Sequence, residues 1–260
     1  MNANYQINDL PLAELERLGL YKDGQLNMHP DDRNALLGGR RTELISLHDL
    51  KADGFQIDQL DAKLSIVPDW DSKLTLKIHP IYKEAQRHPL LLPNEADMLE
   101  NNQMSSISKT YNNPPEKSKT YIIEYDPETR EFITYEPNQV IPPHKVNGET
   151  LSKKQKDDFR KGAVVTLSDG TQFQYKASES KGILSDRNAL IFSVLIDGGI
   201  SYLLLRGIRH LLNSKSLQTD GLTPAFQKAQ AEMDQYQIKK GKSADQQTEE
   251  GRGYTKTRAR

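Results

Sequence analysis

The chain has 260 residues, a formal net charge of -1 and no cysteine. These values exclude disulfides, thiolate catalysis and a global basic field that would draw the protein onto nucleic acid. Charged residues make up 27% of the chain, hydrophobic residues 35%, and the mean hydropathy is -0.73, so part of the chain is expected to lie outside any packed core. The N-terminal segment has acidic residues and no basic-then-apolar run, which predicts a cytoplasmic protein.

The first 85 residues change from a helical pattern to a strand pattern. Leu12, Leu15 and Leu18 recur at helical spacing, and Pro30 suits the first turn of a second helix. The period then becomes two in the segments RTELISL, FQIDQLDAKLSIV and KLTLKIHP, which is typical of antiparallel strands. Residues 1–85 are therefore predicted to form an N-terminal α+β domain.

Residues 86–178 show one plan twice, a charged helix followed by a strand pair. Asn94 caps the first helix, EADMLENNQM, and the segments TYIIEY and EFITYE predict a hairpin. Ser152 and Gln155 match a capping box that opens the second helix, KKQKDDFRKG. The segments AVVTL and TQFQYKA then predict a second hairpin around an Asp-Gly turn. We interpret this region as a second α+β domain with two helix-plus-hairpin units.

The stretch ALIFSVLIDGGISYLLLRGIRHLL, from Ala189 to Leu212, is the most apolar part of the chain. In helical projection its second half places leucines on one face and basic residues opposite, so residues 179–215 are interpreted as a hydrophobic and amphipathic helical segment. Asp197 at its centre opposes membrane insertion, and the two glycines that follow predict a bend.

Three alternatives stay open for this predicted helix. It packs on the chain's own sheet, on a partner or on a second copy; it lies at the inner face of a membrane, since a basic face suits anionic lipid; or it spans a bilayer once. The candidate contacts with a partner or membrane are its large apolar side chains: Leu190, Ile191, Phe192, Leu195, Leu204, Leu205, Ile208, Leu211 and Leu212.

Residues 216–260 form the tail. A last short helix opens at Thr223 and carries an apolar face from Phe226 to Tyr236. After Lys239 the chain lacks apolar anchors and is predicted to be disordered and basic. The predicted fold class is thus α+β, with two small units of short helices and antiparallel strands or hairpins, then a hydrophobic C-terminal helix and a disordered basic tail.

No catalytic, metal-binding or nucleotide-binding motif stands out in the sequence. The six histidines are scattered, with no pair at metal-ligand spacing, and the common phosphate-loop and nucleophile-elbow patterns are missing. Asp69 and Asp71 flank the only tryptophan, Trp70, which indicates an exposed turn, with an acid pair for metal binding or proton transfer as the alternative. We expect no catalytic residue, no metal and no cofactor.

Three groups of basic residues are candidates for nucleic-acid or anion binding. Arg40 and Arg41 follow a Gly-Gly bend, where arginines can grip a phosphate, although such glycines also simply end helices. Lys153 and Lys154 lie on a predicted helix that aspartates interrupt, which also fits a solvated face. The tail combines charge with an aromatic ring, and its candidates are Arg252, Lys256, Arg258 and Arg260.

The segments LPLAELERLGL, ALLGGRRTELISL and DAKLSIVPDWDSKLTLKIHPIYKE resemble an uncharacterised domain carried by bacterial conjugative transposons. The segments MLENNQM, ETLSKKQKDDFRKG and VLIDGGISYLLLRGI resemble a second domain of unknown function that often accompanies the first. The resemblance covers most of residues 5–212 and brings no catalytic residues to this chain. It implies a setting, a mobile genetic element among genes for DNA processing and transfer.

These observations favour a non-enzymatic accessory or scaffold protein of a conjugative element. Its expected partner is a protein of the same element or a second copy of the chain, with DNA as a weaker partner. One alternative is a peripheral membrane protein that recruits transfer machinery through the helix at 188–212. A second alternative is a metal-dependent enzyme acting on nucleic acid.

Overall fold

The computed structural model describes residues 5–52, 54–111, 118–196, 199–211, 217–219 and 222–251, with side chains of the last segment described as far as Lys239. Within these residues the chain is a mixed α+β protein of several small, mostly antiparallel sheets and short helices. The predicted α+β class is confirmed. The predicted domain boundaries stay predictions.

The N-terminal unit packs two short helices on a three-stranded sheet. Its elements are a 3-10 turn Ile7–Asp9, α1 (Leu12–Arg17), β1 (Tyr21–Lys22), β2 (Gln25–Leu26), α2 (Pro30–Leu37), β3 (Ile45–Ala52), β4 (Phe55–Pro68) and β5 (Leu74–Pro80). The strands lie in the order β3-β4-β5, all antiparallel. Both predicted helices and the strands β4 and β5 are confirmed, and β3 begins at Ile45, later than the predicted segment RTELISL, and runs on to Ala52. Leu15, Leu36, Leu47 and Leu64 are at most 1% exposed in its core because their spacings place them on the inner faces.

The middle unit places one helix against a second antiparallel sheet. Its elements are α3 (Pro93–Glu100), β6 (Ile107–Tyr111), β7 (Lys119–Asp126), β8 (Glu131–Tyr135) and a 3-10 turn Pro137–Gln139. The strand order is β6-β7-β8, and Leu99, Ile107 and Ile123 form its core. The hairpin predicted from TYIIEY and EFITYE is the β7–β8 pair.

The C-terminal unit contains two four-stranded sheets around a core that includes Phe173, Leu190 and Phe192, here called the main core. Its elements are β9 (Lys145–Val146), β10 (Glu149–Thr150), α4 (Lys153–Arg160), β11 (Val165–Thr166), β12 (Gln172–Tyr175), β13 (Ile183–Ser185), β14 (Ala189–Ile196), β15 (Gly199–Arg206), β16 (Arg209–His210) and α5 (Pro224–Gly251). The sheets run β10-β9-β14-β15 and β11-β12-β13-β16. The capping box that opens α4 is confirmed, since Ser152 and Gln155 exchange hydrogen bonds of 2.9 and 3.2 Å.

The prediction of a helix over the apolar stretch is wrong. Ala189–Ile196 and Gly199–Arg206 form an antiparallel hairpin, β14–β15. Leu190 and Phe192 enter the main core on one face, while Ala189 and Ile191 pack against α5 on the other. A strand covered on both faces loses the apolar–polar alternation and gives a continuous apolar run, which periodicity alone does not separate from a buried helix.

The predicted apolar face of the last helix is confirmed. Phe226, Ala229 and Met233 of α5 are at most 5% exposed and pack on the β14–β15 hairpin. Thr223 accepts a hydrogen bond from the N–H of Phe226 at 3.1 Å and so caps the helix. Helical backbone continues through the start of the predicted disordered tail to Gly251, and residues 252–260 lie outside the described residues. No helix in the described part of the chain is long and apolar enough to cross a membrane.

Candidate functional site

The β15 strand lies at the edge of its sheet. In the order β10-β9-β14-β15 it has β14 on one side and no other strand of the described residues on the other. It is eight residues long and reads GISYLLLR, without a proline and without a charge before its last residue. A long, apolar edge of this kind is a template for pairing with another chain, and folded proteins usually shorten, charge or cover such edges.

The hydrogen-bond pattern shows which backbone groups of β15 are free to pair. Ile191 of β14 points toward β9, since its C=O accepts from the N–H of Asn147 at 2.8 Å and its N–H donates to the Asn147 side chain at 3.0 Å. Ser193 also accepts from the β9 side. Directly opposed residues of an antiparallel pair exchange both hydrogen bonds or none. Leu204, opposite Ile191, and Tyr202, opposite Ser193, therefore direct N–H and C=O away from β14.

A groove of about 710 Å³ runs beside this edge. It is lined by residues 201–206 of β15, by α2, and by Tyr5, Arg40 and Lys181. A six-residue strand segment is roughly 20 Å long, and an added strand would lie about 4.8 Å from β15. The groove therefore leaves space beside the free backbone groups, between the N-terminal and C-terminal units.

The groove carries unbalanced positive charge. Arg40 is partly buried, and its guanidinium donates to the carbonyl oxygens of Ser180 at 2.8 Å and Asn34 at 3.3 Å, with no carboxylate of the described residues as its partner. Burial lowers the pKa of Arg40 from its usual value. Lys181 is neutralised by Asp31 at 3.0 Å. Arg206, exposed at the end of β15, makes no ion pair with the described residues.

The nine predicted partner contacts separate into three groups. Five of them are 4% exposed or less and are covered by the chain itself, which corrects the prediction that they meet a partner or membrane: Leu190, Ile191, Phe192, Ile208 and Leu211. Leu204 and Leu205 are half-buried and line the groove, and Leu195 is 61% exposed. Leu212 lies outside the described residues. Among the described predicted contacts, exposed area is thus left at Leu195 of β14 and at Leu204 and Leu205 of β15.

Arg41 takes a different role from the one the sequence suggested. Its guanidinium is buried and donates to Asp126 at 3.3 Å, Thr129 at 3.2 Å and Glu131 at 2.7 Å. Burial opposes ionisation of Glu131, but a hydrogen bond from His79 and the charge of Arg41 prevail and lower the pKa of Glu131 to about 2. Arg41 is only 8% exposed and Nη1 is directed at internal acceptors, which is a structural contact and not a site for an outside phosphate.

A second buried cation joins all three units. Lys63 of β4 is 1% exposed, and its ammonium contacts Asp126 at 3.0 Å, Glu128 at 2.8 Å and the carbonyl oxygen of Ser178 at 2.9 Å. The alternation of β4 directs Lys63 away from the core that Leu64 enters. The sequence analysis did not single out this residue; a lysine within an apolar strand pattern was the only signal for it.

A polar cleft of about 320 Å³ lies next to this network. Glu179 lines it, 13% exposed, 3.4 Å from Arg209, which also pairs with Glu43 and Glu128. Burial raises the pKa of Glu179 to about 7, and the charges of Arg209 and Lys63 offset this in part. The sequence analysis did not identify Glu179, because its charge partners lie far away along the chain.

Ser65, His79 and Glu131 are connected in the order of a catalytic nucleophile, base and acid. The Ser65 hydroxyl lies 2.8 Å from His79 Nε2, and His79 Nδ1 lies 3.0 Å from Glu131. Ser65 and His79 are only 8% and 2% exposed, and Glu131 is shared with Arg41. Burial lowers the pKa of His79, so the ring is neutral and satisfied by both neighbours. We interpret the arrangement as part of the contact between the units.

The remaining predicted site residues lie on the surface or outside the described part of the chain. Lys153 and Lys154 are exposed on α4, and Lys154 pairs with Asp158 at 2.6 Å. Asp69 accepts backbone N–H groups within the β4–β5 turn, where Trp70 is fully exposed. No group of three or more metal-ligating side chains occurs among the residues that the structure describes. Four tail candidates lie outside those residues: Arg252, Lys256, Arg258 and Arg260.

The fold is mixed α+β, and β15 is an edge strand that pairs only with β14 among the described residues. Comparison with known proteins adds one match: residues 5–89 fit a family model described as "Protein of unknown function (DUF4099)". That range contains the N-terminal unit, including α2 and Arg40 of the groove, but not β15. No curated protein and no solved structure matches the chain.

Proposed function

We propose that this protein is a non-enzymatic accessory or scaffold protein that binds a partner protein by strand addition to the free edge of β15. The observation that carries the proposal is the unpaired edge, with the backbone groups of Tyr202 and Leu204 directed into an open groove. In strand addition the backbone hydrogen bonds supply affinity and neighbouring side-chain pockets supply specificity.

The packing of β14–β15 on both faces supports this proposal. One face of the hairpin packs on the main core through Leu190 and Phe192, and the other is held by Phe226 and Met233 of α5. A guest strand would therefore meet an edge that is already ordered, so little entropy is lost on the side of this protein.

The setting of the partner rests on the sequence resemblance. Because the chain resembles accessory proteins of conjugative transposons, we propose that the partner comes from the same mobile element. The membrane alternative depended on an amphipathic helix at 188–212, and most described residues of that range form the strands β14, β15 and β16 instead. No described contact favours the enzymatic alternative over the scaffold.

The test uses the full chain as bait for a displayed library of random twelve-residue peptides. A selected peptide is synthesised, and its Kd is measured with wild type, Leu204→Pro and Leu204→Ala. Leu204→Pro removes the outward N–H of residue 204 without breaking a hydrogen bond to β14. Leu204→Ala also removes the leucine side chain but keeps this N–H. We expect Leu204→Pro to lose binding and Leu204→Ala to retain it.

Amide hydrogen exchange supplies a direct structural readout of the same complex. Peptide binding should slow exchange at the outward amides of Tyr202, Leu204 and Arg206 and leave the already bonded amides of β14 unchanged. A peptide that binds equally well to Leu204→Pro, or that leaves these amides unprotected, would refute strand addition. Failure of the library to enrich any peptide over an unrelated bait would count against the proposal as well.

A further inference from the structure

The groove beside β15 holds two arginines without an acidic partner. Arg40 hydrogen-bonds only carbonyl oxygens, and Arg206 makes no ion pair among the described residues. Other cations between the units have carboxylates close by: Arg41 contacts Glu131 and Asp126, and Lys181 contacts Asp31. Arg40 and Arg206 therefore leave an uncompensated positive charge at the groove, whereas the charges of Arg41 and Lys181 are compensated.

Partial burial makes the charge of Arg40 matter. A cation withdrawn from water is unfavourable unless an opposite charge compensates it, and carbonyl dipoles do this less well than a carboxylate. A guanidinium also presents its donors in a planar fork that fits a carboxylate by two hydrogen bonds. A carboxylate bound in the groove would therefore gain the opposite charge and the hydrogen-bond donors of Arg40.

We propose that the strand that adds to β15 is acidic: an extended segment of a partner protein with one carboxylate on Arg40 and another on Arg206. The inference rests on the proposed strand addition and names the chemistry of the guest. Between the two carboxylates the guest carries apolar side chains, which cover Leu203, Leu204 and Leu205.

The pairing register fixes how the two carboxylates are spaced. Arg40 shares a small apolar cavity with Phe192 and Val194, whose partners on β15 are Leu203 and Ser201, so it lies on that face of the sheet. Arg206 projects from the opposite face because side chains alternate along a strand. The two acidic residues of the guest therefore lie an odd number of positions apart, about three to five.

A second copy of the chain is a poorer occupant than an acidic segment. The β15 strand contains no carboxylate, so a copy paired through the same edge would bring two more arginines of the same sign. Like charges brought together in an interface oppose association.

The library selection tests this inference at the level of sequence. We expect the enriched peptides to contain two Asp or Glu residues at odd separation with apolar residues between them. Each acid of one synthetic peptide is then replaced by its amide, and Kd is measured with wild type, Arg206→Gln and Arg33→Gln. Arg33 is an exposed arginine of α2 outside the groove and is the matched control.

Loss of one charged hydrogen bond should weaken binding about tenfold. Replacing one peptide acid by its amide and replacing Arg206 by Gln should each raise Kd about tenfold. The two changes together should raise Kd no further, and Arg33→Gln should bind as wild type does. The same comparison is made between Arg40→Gln and the peptide in which the second acid is replaced by its amide. The urea midpoint of Arg40→Gln is measured first to show that this variant folds.

The outcomes separate this inference from the proposed function. Neutral peptides that bind, protect Tyr202 and Leu204 from exchange and lose affinity in Leu204→Pro would overturn the acidic guest and leave strand addition standing. Light scattering could instead show a homodimer that Leu204→Pro abolishes. A second copy of the chain would then occupy the edge of β15, and both the acidic guest and a partner protein of different sequence would be overturned. Equal Kd values for the acid and amide peptides would also refute it.

Discussion

Arg40 and Arg41 show that the tertiary surroundings of a residue decide which partners its side chain has. Arg40 and Arg41 are equivalent in the sequence, yet Arg41 is bonded to Asp126 and Glu131, and Arg40 faces only carbonyl groups. The partners of Arg41 come from the middle unit, about 90 positions away along the chain. A buried and paired Arg41 is a structural residue, whereas Arg40 has no carboxylate partner among the described residues.

Glu179 is the residue whose ionisation should be visible in the stability of the protein. Arg209 lies 3.4 Å from it, and Lys63, Glu43 and Glu128 act on it more weakly. Because burial raises its pKa from 4.5 to about 7, the folded state holds an extra proton between these values. The contribution of Glu179 to stability is therefore full below pH 4.5 and is lost as the pH rises through 7, by up to about 3 kcal/mol.

Urea unfolding from pH 4.5 to 8 measures this effect in wild type and in Glu179→Gln. Glutamine does not titrate, so the stability of the variant relative to wild type should rise with pH. The exposed Glu16→Gln is the control and should follow the wild-type profile. Parallel wild-type and Glu179→Gln profiles would show that Glu179 ionises normally in the folded state.

At the scale of elements, the apolar run at 189–206 is decided by what covers it. The same letters suit a buried helix or a strand enclosed on both faces. The structure places residues 189–192 of β14 between the main core and α5, which explains why both sets of alternate side chains are apolar there. Strand formation also leaves one backbone edge uncovered, which a helix would not have done.

The hairpin should depend on α5 for its stability. Phe226 is 2% exposed and packs with Ile191 on the outer face of β14. Replacing it with alanine should lower the free energy of unfolding by about 3 kcal/mol or more, since a large ring leaves a cavity. Leu217→Ala, at a site that is 90% exposed, should change it by less than about 0.5 kcal/mol. Similar urea midpoints for the two variants would mean that α5 is not part of the folded core.

At the scale of the molecule, buried ion pairs connect the units. Lys63, Arg41 and Arg209 reach from the N-terminal or C-terminal unit to carboxylates of the other units. Buried ion pairs add less stability than their geometry suggests, because desolvation offsets the attraction, but removing one partner is costly. The units are thus held in one specific arrangement, and this arrangement forms the groove beside β15.

Calorimetry of Lys63→Met tests this coupling. Loss of the ammonium leaves Asp126 buried with Arg41 as its remaining cation, and we expect about 3 kcal/mol lower stability. Wild type should unfold in one transition, and the variant should show the N-terminal unit melting first. Lys73→Met, at an exposed turn, is the control. One transition at an unchanged Tm in Lys63→Met would refute a role in coupling the units.

Local pattern in the sequence determined the α+β class, the helices at Leu12, Pro30 and Ser152, and the hairpins around short polar turns, because caps, turns and periodicity act over a few residues. Only the tertiary structure decided that the apolar run forms β14 and β15, that Arg41 pairs with internal carboxylates and Arg40 does not, and that β15 is left at an edge. These outcomes depend on contacts between residues far apart in sequence, and burial and charge pairing become defined only when the units pack together.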